Sequence, residues 1–146
     1  MAALERRAMA VWNGGLRTGK GQITSNTGVL REVPYSFATR FENEPGTNPE
    51  ELIAAAHAAC YSMAFAGTLE SHGYAPQSVE TRATCTVASQ PGGGFKITKV
   101  RLETRGIVPG ISREAFAQMA REGEKGCPVS NALREGVEIE LDARLA

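Results

Sequence analysis

A chain of 146 residues, 42% of them hydrophobic, has the size of one ordinary domain and leaves little room for a second core. Sixteen basic residues balance sixteen acidic ones, so no strong field is present to hold a nucleic-acid backbone or an anionic membrane surface. The expectation is a single domain over residues 1–146, with neither nucleic acid nor membrane as a partner.

The N-terminal segment Met1-Ala-Ala-Leu-Glu-Arg-Arg-Ala is charged, and it reaches Trp12-Asn13-Gly14-Gly15 without the apolar run of an export signal. Over residues 8–40, short runs are broken by Gly14-Gly15, Gly19, Gly21, Gly28 and Pro34, the punctuation of successive strands and tight turns. Strands are expected near 7–13, 20–25 and 35–41. Next comes the strongest local signal in the chain. Asn48 can cap a helix, Pro49 suits its first position, and Glu51 at the third can close a capping box. That helix should run to about residue 71, where His72-Gly73-Tyr74-Ala75-Pro76 supplies a stop.

Within it, residues 52–67 are rich in alanine and include His57 and Ser62, which reads as a buried helix too short and too weakly hydrophobic to span a bilayer. Leu52, Ala56, Ala59, Cys60, Met63 and Gly67 form an apolar stripe that would turn Cys60 inward. Two strands follow, near 78–89 and 95–106, joined by Pro91-Gly92-Gly93-Gly94. These glycines are not a phosphate loop, because neither a helix pattern nor a Lys-Ser/Thr pair comes after them. A second helix is expected over 112–125, opened by Ser112, and a short one begins after Cys127 with Pro128 at its first position. Residues 136–141 alternate as a last strand. The order of elements gives an α+β fold with a largely antiparallel sheet and one long helix.

Three cysteines, Cys60, Cys85 and Cys127, are an odd number without Cys-x-x-Cys pairing. The pattern argues against a secreted disulfide framework and against structural zinc, and it suggests a reducing, cytoplasmic setting. On its stripe alone, Cys60 is an ordinary small buried hydrophobe. Cys127 differs, because at the N-cap of a helix the free N–H groups and the positive end of the dipole favour a thiolate, although its spacing fits an ordinary capping or core residue equally well. Cys85 lies in a strand and is read as packing. His57 and His72 are read as surface or packing residues, since two separated histidines make a poor metal site. No cofactor is called for.

Three stretches are recognisable together. They are Pro34-Tyr35-Ser36-Phe37-Ala38-Thr39-Arg40-Phe41, then Gly46-Thr47-Asn48-Pro49-Glu50-Glu51-Leu52 leading to Ala55-Ala56-His57-Ala58-Ala59-Cys60, and Gly126-Cys127-Pro128-Val129-Ser130. They resemble the OsmC branch of the OsmC/Ohr family of thiol peroxidases, and the likeness runs over essentially the whole chain, including Val108-Pro109-Gly110-Ile111.

The resemblance implies an OsmC-like fold and reduction of organic hydroperoxides in oxidative-stress defence. It makes Cys60 the attacking thiolate and Cys127 the thiol that forms a disulfide with it, without metal or flavin. It also implies an arginine and a glutamate that hold the thiolate ready. Glu50 matches the glutamate; Arg40 matches the arginine in Thr-Arg-Phe, while Arg17 resembles the position used in the Ohr branch. An external dithiol must then reduce the disulfide, whether thioredoxin, a small thiol or a lipoyl-bearing protein.

One spacing constrains the assembly, because ten residues separate Glu50 from Cys60, about 15 Å along a continuous helix. Either the helix breaks between them, or the glutamate and arginine come from a second chain. An intertwined two-fold homodimer with sites at its interface is expected. Apolar side chains such as Met63, Phe65 and Phe37 or Phe41 would line the pocket and select a hydrocarbon-bearing hydroperoxide. Two other readings remain: a hydrophobic-ligand-binding protein whose cysteines only pack, and a redox sensor with a reversible disulfide. A cysteine hydrolase is disfavoured, since no motif sets a histidine as base to either cysteine.

Overall fold

The computed structural model describes residues 2–146. The chain divides into two compact units, one ending at Pro49 and the other comprising Glu50–Ala146.

In the first unit, β1 (Ala8–Asn13), β2 (Lys20–Ser25) and β3 (Val33–Tyr35) form an antiparallel sheet in that order. Gly21 pairs with Trp12 on one side and Tyr35 on the other, and the two rings lie 5.4 Å apart by their centroids. A Cβ at this position would run into both rings, which is why the central strand carries glycine there. The expected strand over 35–41 is corrected. β3 ends at Tyr35, and α1 (Phe37–Phe41) follows as a short helix. Ser36 Oγ accepts from Thr39 N–H at 3.2 Å, and Ser36 N–H donates to Thr39 Oγ1 at 2.9 Å. This reciprocal capping converts an apolar run that looks extended into a helical turn.

The second unit contains nearly all of α2 (Pro49–Ser71), then β4 (Ser78–Ser89), β5 (Phe95–Ile107), α3 (Arg113–Lys125), α4 (Pro128–Leu133) and β6 (Glu138–Leu145). β5 is central in its sheet, antiparallel to β4 and parallel to β6. The parallel pairing follows from the connection: α3 and α4 carry the chain back before β6 begins. Helix starts behave as the sequence predicts. Ser112 caps α3 by accepting from Ala115 N–H, and Pro128 opens α4 behind Cys127. In the β4–β5 turn, Gly93 and Gly94 take φ of 92° and 82°, a backbone that side-chain-bearing residues resist.

Tyr61, Phe65 and Leu69 of α2 are fully buried in a core with Val100 and Leu102 of β5 and Phe116, Met119 and Ala120 of α3. That corrects the expected stripe. Ala56, Ala59 and Gly67 are exposed, Met63 is 78% exposed, and the buried line runs through His57, Tyr61, Phe65 and Leu69. A helix rich in alanine is mildly apolar all round, so its large residues at four-residue spacing decide which face goes inward. The helix ends at Ser71, as its stop signal predicts. Its 23 residues include a window of mean hydropathy 1.4, long and apolar enough to cross a membrane by length and composition. Here the Tyr61–Phe65–Leu69 line instead packs into the core of the second unit.

Candidate active site

Cys60 sits on α2, half-buried at the margin of the buried line, and Cys127 is fully buried at the N-cap of α4. Both thiols are reduced, and Cys127 Sγ approaches Cys60 Sγ at 3.3 Å. A disulfide requires about 2.05 Å, so the sulfurs are roughly 1.3 Å from bonding. The capping role is carried by sulfur, since Ser130 N–H donates to Cys127 Sγ at 3.5 Å.

Electrostatically, Cys60 within this unit favours the thiol. Burial pushes its pKa up, a backbone hydrogen bond from Val129 opposes that, and the adjacent Cys127 raises it further. Cys85, half-buried on β4, is also pushed up, by burial first and then by the Glu50 charge; it packs against the core as expected.

Directly beside the thiols lies a polar pair. His57 Nε2 and Ser130 Oγ are 2.6 Å apart, and both residues are fully buried. His57 Nδ1 is buried without a hydrogen-bond partner, and burial pushes the imidazole pKa down, opposed by Glu124 and reinforced by Arg134. Glu124, on α3, is itself buried and paired with Arg134 at 2.8 Å. The sequence reads His57 as a surface or packing residue and gives Ser130 no separate role, whereas His57 is fully buried against Ser130. The available signal was spacing: His57 stands three residues before Cys60, and Ser130 three after Cys127.

Of the residues singled out from sequence, the structure brings Cys60 and Cys127 together. Glu50 is buried in the first turn of α2, and that helix continues unbroken through Cys60, leaving them about 15 Å apart along the axis. Arg40 lies on α1 of the first unit with its guanidinium 4.9 Å from the centre of the Phe41 ring, and Arg17 is 4.4 Å from that of Phe37. Trp12, Leu16, Tyr35, Phe37, Arg40 and Phe41 line a pocket of ≈ 250 Å³ there. Phe65 is corrected as a pocket residue: it is buried edge-on against Phe116, 5.1 Å between centroids. His72 is exposed, 3.7 Å from Glu122. Among the described residues, no group of three or more His, Cys, Asp or Glu side chains is placed to hold a metal ion.

The family model described as OsmC-like protein matches residues 41–142. The chain belongs to the OsmC family. It is 44% identical over 142 residues to peroxiredoxin OsmC of Escherichia coli K12, covering 97% of each chain. It is 32% identical over 130 residues to organic hydroperoxide resistance protein OhrB of Bacillus subtilis 168, covering 85% of this chain and 89% of that one. Among solved structures, an organic hydroperoxide resistance protein from Elizabethkingia anophelis superposes with a TM-score of 0.77 at 28% identity over the full length of both chains. The mixed architecture of this OsmC-family chain, with two small sheets and a long helix, matches these relatives.

Proposed function

We propose that this chain is a peroxide-defence enzyme: a cytoplasmic, single-domain thiol peroxidase that reduces organic hydroperoxides to alcohols, with Cys60 peroxidatic and Cys127 resolving. The observation that carries the reading is the 3.3 Å approach of two reduced thiols that are 67 residues apart in sequence. Its relatives, a peroxiredoxin and organic hydroperoxide resistance proteins, support that substrate class.

In this scheme the Cys60 thiolate attacks one peroxide oxygen, the O–O bond breaks, and the alkoxide leaves and takes up a proton as alcohol. Cys60 is now a sulfenic acid. The Cys127 sulfur displaces hydroxide from it, forming the Cys60–Cys127 disulfide and releasing water with the thiol proton. An external dithiol, such as a lipoyl protein or thioredoxin, donates two electrons and two protons to restore both thiols.

The first step needs a cation near Cys60, because burial and Cys127 both hold its pKa up. We assign that role to Arg40, with Arg17 as the alternative, and assign Glu50 to orienting the guanidinium. Since α2 runs unbroken between Glu50 and Cys60, a single chain does not bring that carboxylate to its own thiol. This supports an intertwined homodimer in which the activating pair and the thiols come from different copies. The exposed face of α2, with Ala56, Ala59, Met63 and Gly67, is apolar enough to be covered by such a copy. The aromatic pocket around Arg40 would take the hydrocarbon tail.

The deciding experiment titrates the reduced protein with cumene hydroperoxide, counts thiols and maps the new disulfide by peptide mass. Loss of two thiols per chain as Cys60–Cys127, and a persistent sulfenic acid at Cys60 in Cys127→Ser, are the expected results. Unchanged thiols would favour hydrophobic-ligand binding, and oxidation without turnover would favour a sensor. Light scattering at micromolar concentration should give a dimer. Comparable kcat/KM for hydrogen peroxide and cumene hydroperoxide would remove the proposed tail pocket.

A further inference from the structure

His57 and Ser130 are absent from the scheme above, yet they are the buried polar pair closest to it. α4 has only six residues, too few to hold helical structure or position by itself. Something outside it must fix where its N-cap sulfur points. The half-buried Val129 and Leu133 give it a floor without directional preference, and Asn131 Nδ2 to Lys125 O at 2.9 Å and Arg134 to Glu124 at 2.8 Å tie it to α3, but none of these contacts sets its register against α2.

The His57–Ser130 hydrogen bond does. On α2, His57 and Cys60 are three residues apart, and so are Cys127 and Ser130 at the start of α4. Residues at that spacing share a helix face one turn apart. The two segments are therefore joined by two adjacent rungs, His57–Ser130 at 2.6 Å and Cys60–Cys127 at 3.3 Å, running in opposite chain directions. Ser130 also links the rungs directly, because its own N–H donates to Cys127 Sγ. A neutral imidazole supplies the first rung in a site without solvent, where a hydrogen bond is strong and an unmet one is costly. With Nδ1 unpartnered, the ring gains its hydrogen bond only by keeping Ser130 in place.

We propose that His57 is a positioning residue for disulfide closure: acting through Ser130, it holds α4 in register with α2 so that Cys127 stays within reach of Cys60. The inference rests on the Cys60–Cys127 pair of the proposed function, but it concerns how readily that pair closes and not what oxidises it. The rung adds effective concentration to an intramolecular step, in which a misplacement of about 1 Å costs on the order of 100-fold.

The test is an equilibrium that needs no peroxide. The full-length protein is incubated in glutathione redox buffers, the Cys60–Cys127 disulfide is quantified by alkylation and mass, and the effective concentration of the pair is obtained for wild type, His57→Phe, His57→Gln, Ser130→Ala and the double variant His57→Phe/Ser130→Ala. Expected are falls of 10-fold or more in His57→Phe and Ser130→Ala, with a double variant no worse than either single one. Partial recovery is expected in His57→Gln, whose amide can still bond the hydroxyl. In cumene hydroperoxide reactions, the same variants should accumulate dimedone-reactive sulfenic acid at Cys60. An effective concentration within twofold of wild type in Ser130→Ala, which removes one oxygen and keeps the test decidable should His57→Phe not fold, would overturn the proposal. So would a double variant whose losses simply add. If wild-type thiols ignore peroxide while the glutathione result holds, the peroxidase reading fails and this one stands.

Discussion

Gly123 should reverse the usual rule for glycine in helices. It lies inside α3, where replacement by alanine ordinarily stabilises by about 1 kcal/mol. Its φ is unremarkable, so backbone strain does not enter. The obstacle is packing. A Cβ at 123 would lie 2.9 Å from Phe65 Cα, 3.2 Å from Phe65 Cβ and 3.2 Å from Phe65 N. Two of these atoms are backbone of α2 and have no rotamer to change, so the helices must separate. Overpacking of this kind costs about 1–3 kcal/mol, and setting the propensity gain of about 1 kcal/mol against its upper half leaves a net loss of roughly 1–2 kcal/mol. The assay is urea denaturation of reduced Gly123→Ala at fixed protein concentration, followed by far-UV circular dichroism, because Trp12, the one tryptophan, lies in the other unit. A thermal midpoint lower by roughly 3–8 °C should accompany it. The substitution also reads on the site. Cys127 is four residues beyond Gly123, and Cys60 five before Phe65, so pushing α3 from α2 should lower the effective concentration of the thiol pair. A variant as stable as wild type or more so would show that the α2–α3 contact is looser than described and refute the reasoning.

Three further outcomes are expected. Because burial holds the His57 pKa below its ordinary value near 6.5, the unfolded chain takes up that proton first on acidification. Its contribution is intact above about pH 6.5 and declines below it by at most about 1.4 kcal/mol per pH unit, until the folded-state pKa is reached. Urea midpoints from pH 7.5 to 5.0 should show the decline in wild type and a shallower one in His57→Gln. Ser36→Ala removes the cap that turns 37–41 into a helix and should cost about 1 kcal/mol, with slower reaction of Cys60 with cumene hydroperoxide if Arg40 activates it. Arg101→Ala should change stability by less than about 1 kcal/mol, although Arg101 contacts Glu103, Glu140 and Asp142, because these pairs face solvent. Denaturation in low and high salt measures this directly.

What was legible in the sequence was local chemistry. Pro49 after Asn48, Ser112 before α3, and Cys127-Pro128 before α4 each mark a backbone requirement that only neighbours satisfy, and each helix begins where these residues place it. Ser36 and Thr39 carry the same kind of signal, but it was masked by Tyr35, Phe37 and Phe41, whose aromatic side chains suit a strand equally well. The facing of α2 was not legible for a different reason. Between alanines, period alone does not rank one stripe above another, and the choice falls to large partners such as Phe116, which lie far along the chain. The same applies to His57: its partner is 73 residues away, and the matching three-residue offsets from Cys60 and Cys127 join the two only once those cysteines are known to meet.

The crossover through α3 and α4 has a consequence for the chain as it is made. Cys60 and Cys85 leave the ribosome well before Cys127, which follows Cys60 by 67 residues. At synthesis rates of roughly 5–20 residues per second, that interval is about 3–13 s. Cys85 follows Cys60 by 25 residues, so over the remaining 42, about 2–8 s at the same rates, it is the other thiol already synthesised, and the nascent chain passes through a stage at which an oxidant meets the wrong pair. Placing Cys127 late, and on the segment that leads into the last strand, ties acquisition of a matched pair to the closing steps of folding, while Cys85, held in β4, is drawn out of contention as its hairpin with β5 forms.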